Sequence, residues 1–291
     1  MPRPAPSVHR IVAVLDLLAE DPERSRTLTE IVREADINAA TAHSTLSALV
    51  EEGLLLRDPD SKRYSLGPTL VRLGAAAASR SDDIVSRARA ELRTLNLDLG
   101  LQTTATRVVG DHIVIEAREG DPGPWGMTVQ VGQRMPFAPP LGSVFLAWST
   151  DEQVSAWLRM ADAPASAATI QRCLHALTAV RDRGYAVALN VAAARSTLDR
   201  KDQHPGLSEL MESAYFLDDV VEDQQYGLRQ VAAPIFDVTG RVALSLAVMY
   251  FGEMRTGQEI RQEAQRIVAA ADRVTTAIHG SHPRQQQRGT A

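Results

Sequence analysis

The sequence predicts a two-domain α+β protein, and three observations carry the prediction. The chain has 291 residues, enough for two ordinary domains. Residues 1–67 read as three short helices followed by one β-hairpin. The remainder interleaves apolar strands with amphipathic helices around two further hairpins, the pattern of an antiparallel sheet covered by helices. Hydrophobic residues make up 44% and charged residues 23%, as in a globular protein with packed cores. A net charge of −5 excludes a protein that coats nucleic acid along its whole surface, but leaves room for a local basic patch. Cys173 is the single cysteine; it reads as a small buried hydrophobe on a helix and fits a reducing cytoplasm. "MPRPAPSVHR" lacks the apolar core of a signal peptide, and "VALSLAVMYF" is too short to span a bilayer. A cytoplasmic protein with no membrane partner is expected.

The elements of the first domain follow from periodicity and caps. "SVHRIVAVLDLLAEDP" puts Val8, Ile11, Val12, Leu15, Leu18 and Ala19 on one helix face, with Ser7 as N-cap. "TLTEIVREA" opens with a capping box, Thr27 with Glu30, and repeats Leu28, Ile31, Val32 and Ala35 at helical spacing. "DIN" breaks that helix. In "INAATAHSTLSALVEEG", Asn38 caps a third helix, Ala42, Leu46, Leu49 and Val50 face inward, and Gly53 ends it. Asn38, Ala40, Thr41, His43, Ser44 and Ser47 face outward. "LLLRDPDSKRYSLG" reads as two strands around the turn "DPDS". This order is that of a winged helix-turn-helix. Pro68 starts a short linker helix over 68–81.

The second domain is expected over 82–279. Ile84, Val85, Ala88, Leu92, Leu95 and Leu99 stripe its opening helix, which Gly100 ends. "LQTTATRVV" and "HIVIEAR" form a hairpin, "MTVQV" reads as a strand, and "GQRMPFAPPLGSVFLAWS" turns from loop to helix near Leu141. Thr150 with Gln153, and Thr256 with Glu259, are further capping boxes. "TIQRCLHALTAVRDRG" is an amphipathic helix stopped by Gly184, "YAVAL" a strand, and "RQVAAPIFD" with "RVALSLAVMYF" a second hairpin. The tail, 280–291, is polar and expected to be disordered.

The run "LTEIVREADINAATAHSTLSALVEEGLLLRDPDSKRYSLGPTLVRLG" resembles the DNA-binding half of the IclR family of bacterial transcriptional regulators. "VGQRMPF", "VRDRGYAV" and "GLRQVAAPIFDVTGRV" resemble that family's effector-binding domain. The resemblance implies a homodimer or dimer of dimers on a partly palindromic double-stranded DNA operator, acting as repressor or activator. It implies a GAF-like antiparallel-sheet domain that senses a small metabolite, often an organic acid. The sequence departs from the family pattern in three ways. Ala39 and Ala40 stand where Lys or Arg usually opens the reading helix. Gln230 takes the place of a pocket Cys, and Ala247 and Met249 the places of two serines that face a bound acid. About thirty extra residues, 188–220, separate "GYAV" from "GLR", with "HPGLSELMESAYF" looking helical; they form either a surface excursion or a lid or subunit contact.

The DNA-contacting residues are expected to be Arg26, Thr27, Asn38, Ala39, Ala40, Thr41, His43, Ser44, Arg57, Lys62 and Arg63. From Asn38 to Val50 the third helix carries no charged residue, and residues 1–80 hold ten Arg and Lys against eleven Asp and Glu. Attraction for phosphate is therefore assigned to the wing cluster Arg57, Lys62 and Arg63 and to Arg24 and Arg26, with the helix start offering free N–H groups. The effector is expected at Trp125, Met127, Phe137, Ala138, Pro140, Leu141, Gly142, Glu222, Asp223, Gln230, Ala247 and Met249. Trp125 either lines the entrance or packs on a loop. Replacing hydroxyls by Ala247 and Met249 argues for a ligand larger or more apolar than a two- or three-carbon acid, such as an aromatic one. No nucleophile elbow, H-E-x-x-H or ligand-spaced His and Cys set is found, so neither catalysis nor a metal or other cofactor is expected. The alternative is an enzyme fused to a winged-helix domain.

Overall fold

The computed structural model describes residues 6–79, 83–123, 129–161, 166–190, 207–212, 215 and 217–282. The chain divides into two compact units, Met1–Ser81 and Asp82–Ala291. Among the described residues no helix is long and apolar enough to cross a membrane.

The first unit holds α1 (Pro6–Glu20), α2 (Leu28–Glu34), α3 (Ala39–Glu51), β1 (Leu55–Arg57), β2 (Tyr64–Leu66) and α4 (Pro68–Ser79). α1 starts at Pro6, so Ser7 lies inside the helix and does not cap it; proline tolerates a first turn because its missing N–H would have no helical partner there. Thr27 and Glu30 form the expected capping box of α2, and the Asn38 side chain accepts from Ala40 N at the start of α3. α3 ends in a Schellman motif: Gly53 N donates to Val50 O and Leu54 N to Leu49 O, with Gly53 at φ +67°. The wing then returns across the end of α3 so closely that a Cβ at Gly67 would sit 2.2 Å from Gly53 O. Val14, Leu18, Ile31, Leu46, Leu49, Leu55 and Tyr64 close the core between the three helices and the wing. α4 is tied to the end of α3 by Thr69, whose hydroxyl donates to Glu52 O and whose N–H donates to Gly53 O.

The second unit holds α5 (Asp83–Leu99), β3 (Gln102–Val109), β4 (His112–Glu119), β5 (Arg134–Pro136), α6 (Ser143–Leu146), α7 (Asp151–Leu158), α8 (Ala167–Arg183), β6 (Ala186–Leu189), α9 (Leu207–Glu212), β7 (Gln225–Phe236), β8 (Val242–Met249), β9 (Met254–Thr256) and α10 (Gly257–Ala277). Its sheet runs β5-β4-β3-β8-β7-β6, every neighbour antiparallel, with β9 on β7. Alternate residues of a strand face opposite sides. One face carries Val187, Val231, Ala233, Ile235, Leu244, Leu246 and Val248, all buried against α5 and α10. The other carries Ala186 and Ala188, packed with α6, α7 and α8 through Phe145, Trp157 and Leu177.

Three expectations change. In "MTVQV", the described residues 129–131 are not a strand; Gln133 N donates to Gln130 O and Gly132 takes φ +86°, so a turn intervenes and the strand is β5. β9 went unread because Phe251 (φ +51°) and Gly252 (φ +97°) turn the chain back onto β7 where the apolar run had suggested a plain strand end. α6 begins at Ser143, after Gly142 in the left-handed region, and is one turn long. In "HPGLSELMESAYF" the described helix is α9, and for the tail, residues 283–291 lie outside the described residues.

The capping box of α10 gives a stability test. Thr256 accepts from Glu259 N, and the Glu259 carboxylate accepts from Thr256 N at 2.7 Å. Thr256→Ala is expected to cost about 1 kcal/mol, seen as a lower urea midpoint with an unchanged slope.

Candidate functional site

In the first unit, α3 presents a small, neutral and exposed surface. Asn38, Ala39, Ala40, His43 and Ser44 are exposed and Thr41 is half-buried. Its polar groups are satisfied within the helix: Asn38 Oδ1 accepts from Ala40 N at 2.8 Å, Thr41 Oγ1 donates to Asn38 O at 3.0 Å, and Ser44 Oγ donates to Thr41 O at 3.0 Å. The hydroxyl lone pairs and the Asn38 amide N–H groups remain for an incoming group. With alanine at Ala39 and Ala40, nothing long holds the helix start away from a ligand surface.

The cations of this unit divide into two sets. Arg26 is only 4% exposed; its guanidinium donates to Glu34 at 3.0 Å, and its backbone pairs with Tyr64. Arg63 donates to Ser25 O at 2.7 Å and to Glu30 at 3.2 Å, fastening the wing to the start of α2. Hydrogen bonds from Thr27 hold the Glu30 carboxyl below its ordinary value, and hydrogen bonds from Arg26 and Arg33 do the same for Glu34. The other set is exposed. Arg57 lies 5.7 Å over the Tyr64 ring, and Lys62, at φ +58° on the wing tip, donates to Pro59 O.

In the second unit, the sheet face opposite α5 and α10 floors a cavity. The register aligns Ala186 with Ala232, Ala232 with Ala247 and Ala247 with Thr104, so four adjacent strands contribute one line of small side chains. Above that line is a cavity of about 70 Å³. Ile113, Ile115, Met135, Val144, Phe145 and Met249 give it apolar walls; Thr104, Thr106, Gln133, Ser143, Gln230 and Ser245 supply polar groups. Arg229 and Tyr215 also line it, 7% and 3% exposed. Leu141 is held in the wall by Trp157, whose Nε1 donates to Leu141 O at 3.1 Å. A Cβ at Gly142 would lie 2.6 Å from the Phe137 ring, which packs edge-on against Phe145.

Two family profiles match the chain: the IclR helix-turn-helix domain over residues 7–59, and the bacterial transcriptional regulator IclR C-terminal domain over residues 76–191. The chain belongs to the IclR family of transcriptional regulators. It is similar to the HTH-type transcriptional regulator XynR of Escherichia coli (strain K12), 27% identical with 84% of this chain and 86% of XynR covered. It is similar to KdgR of the same strain, 26% identical with 95% and 93% covered. Among solved structures, the IclR transcriptional regulator from Alicyclobacillus acidocaldarius matches 96% of this chain and all of its own at a TM-score of 0.63 and 26% identity. The DNA-binding regulator function and the two-part fold expected from the resemblance are thereby shown.

The cavity wall takes in Pro140, Leu141, Gly142, Gln230, Ala247 and Met249 and leaves out four of the expected residues, Phe137, Ala138, Glu222 and Asp223. Phe137 and Ala138 lie behind the wall in the packing around Phe145. Glu222 and Asp223 are exposed, with Glu222 paired to Arg261 at 2.7 Å. Trp125 and Met127 lie outside the described residues. The sequence reading missed Arg229 and Tyr215. Strict alternation along β7 would turn Arg229 away from Gln230, but the β6 ladder skips from Ala188–Gln230 to Leu189–Leu228, so Arg229 is a bulge residue. Tyr215 sits in the extra segment, which offers no family motif to align.

The two sets of cations are expected to separate on substitution. Arg26→Ala and Arg63→Ala lower the melting temperature of the first unit, because each strips a partner from the second helix or its start. Arg57→Ala and Lys62→Ala leave melting unchanged and each reduce the salt slope of DNA binding by about one unit if the side chain meets a phosphate. Melting curves and salt-dependent gel shifts of the four variants check both halves.

Proposed function

We propose that this regulator is controlled by a small metabolite bound in the cavity of the second unit. The alanine line carries the reading. Close-packed interiors rarely leave space of this size, and here four strands contribute small side chains at matching register while three of them, β6, β7 and β8, carry large ones on the other face. Apolar walls with a few polar groups are what a small-molecule site requires. The ligand is an organic acid with a body larger and more apolar than two or three carbons. On the DNA side, α3 enters the major groove, with Asn38, Thr41, His43 and Ser44 at base edges or phosphates and Arg57 and Lys62 on the flanking backbone. Two copies, or a dimer of dimers, address a partly palindromic operator, since one neutral helix offers little attraction by itself.

Selection of random double-stranded DNA with the purified protein, followed by footprinting, tests the DNA side: inverted half-sites about one helical turn apart are expected, and a single unrepeated site argues against the paired arrangement. For the cavity, Ala232→Leu is expected to fill vacant space. It should cost less than the roughly 1–3 kcal/mol of overpacking a full core and abolish the melting shift given by any organic acid that stabilises the wild type. A fully overpacked cost with the ligand shift intact would place the ligand elsewhere.

A further inference from the structure

Resting on the reading of the cavity as the ligand site, we propose that Arg229 and Tyr215 together form its anion-recognising end, with Tyr215 brought there by the backbone pairing of residues 215 and 217 with β6.

Charge is the first argument. Among the described residues lining the cavity the one cation is Arg229. A guanidinium carries five N–H donors in a planar fork that matches a carboxylate, and a phenol adds one more. The start of α6 is a poor rival, because α6 is four residues long and so few peptide dipoles sum to little field.

Placement is the second argument. The bulge turns Arg229 to the same side of β7 as Gln230. Tyr215 comes up along β6: its carbonyl accepts from Leu189 N at 2.8 Å, and two residues on Leu217 N donates to Val187 O at 3.3 Å. Both residues thus stand at the β6–β7 end of the alanine line. Burial pushes the Tyr215 phenol up and the nearby Arg229 charge pulls it down, as neighbours should.

The extra segment is the third argument. The C-terminal family profile stops at residue 191. Yet Leu207, Leu210 and Tyr215 are buried in one cluster with Phe145, Trp157 and Leu177, and Arg172 donates to Met211 O at 3.3 Å. Its described residues pack into the domain and are no surface excursion. The ligand class that follows is a monocarboxylate whose flat apolar body lies along the alanines toward Thr104 on β3.

The test uses matched pairs on the full chain: benzoate with benzamide, phenylacetate with phenylacetamide, cinnamate with cinnamamide, and 1-naphthoate with 1-naphthamide, read by thermal shift and calorimetry. At least one acid is expected to bind and its amide to bind far more weakly. Arg229→Met should lower that acid's affinity about a hundredfold and Tyr215→Phe about tenfold, with Arg229→Lys in between because it keeps the charge and loses the fork. Amide binding should be unaffected by Arg229→Met. Should Arg229→Met fail to fold, Arg229→Lys and Tyr215→Phe carry the comparison. Amides that bind as well as acids, or an acid preference that survives the substitutions, would overturn the anion end while leaving the cavity as the ligand site. Silence of every acid and amide would count against the cavity reading itself, and the proposal would fall with it.

Discussion

The second unit depends on an unequal division of its sheet. Strands β7 and β8 place Val231, Ala233, Ile235, Leu244, Leu246 and Val248 toward α5 and α10, and on the opposite face Ala232 and Ala247. The first face is filled by two long helices and supplies most of the burial that holds the domain. The second cannot be filled to the same depth, because the alanines are aligned across strands rather than staggered. One sheet therefore makes a core on one side and a vacancy on the other. The vacancy is tolerated because its cost falls on a domain whose main core is elsewhere.

Much of this was legible in the sequence and some was not, for reasons that can be named. Helices with caps were read well: Thr27, Asn38, Thr150 and Thr256 all accept the backbone hydrogen bonds their spacing implies. Local rules fail where local geometry departs from the repeat. The bulge at Arg229 inserts one residue into one strand only, so alternation along β7 cannot reveal which way that side chain points. Short strands such as β9 exist because a distant partner is waiting, not because their residues ask for it. Alignment by resemblance carried Ala247, Met249 and Gln230 to the cavity and misplaced Glu222 and Asp223, which sit just beyond the extra segment where the correspondence with the family is least secure.

The cations of the first unit show how sequence counts mislead. Arg57, Lys62 and Arg63 look like one cluster, but the wing hairpin separates them. In register, Arg57 lies opposite Tyr64, and Arg63 precedes Tyr64 on the strand side that meets α2. Arg63 then finds Glu30, which is already committed to capping α2, and Arg26 finds Glu34 one turn later. The acid pair thus serves three tasks: helix cap, wing anchor and neutralisation of four arginines, Arg24, Arg26, Arg33 and Arg63. Stability of this small unit draws on charges that a count would have assigned to DNA.

The same arrangement bears on how a neutral helix can serve as a reading element. A long basic side chain at the helix start would reach a phosphate or guanine early and hold the backbone off by its own length. Ala39 and Ala40 impose no such distance, so the helix start can approach closely enough for its backbone and its hydroxyl groups to matter. Close approach gives geometric selectivity, sensitive to groove width and half-site spacing, at the expense of attraction. In the proposed arrangement attraction is gathered from exposed positions outside the groove, Arg57 and Lys62 on the wing, and from repetition of the whole unit. In the proposed paired arrangement, a helix of this kind makes binding unusually dependent on how two copies are spaced.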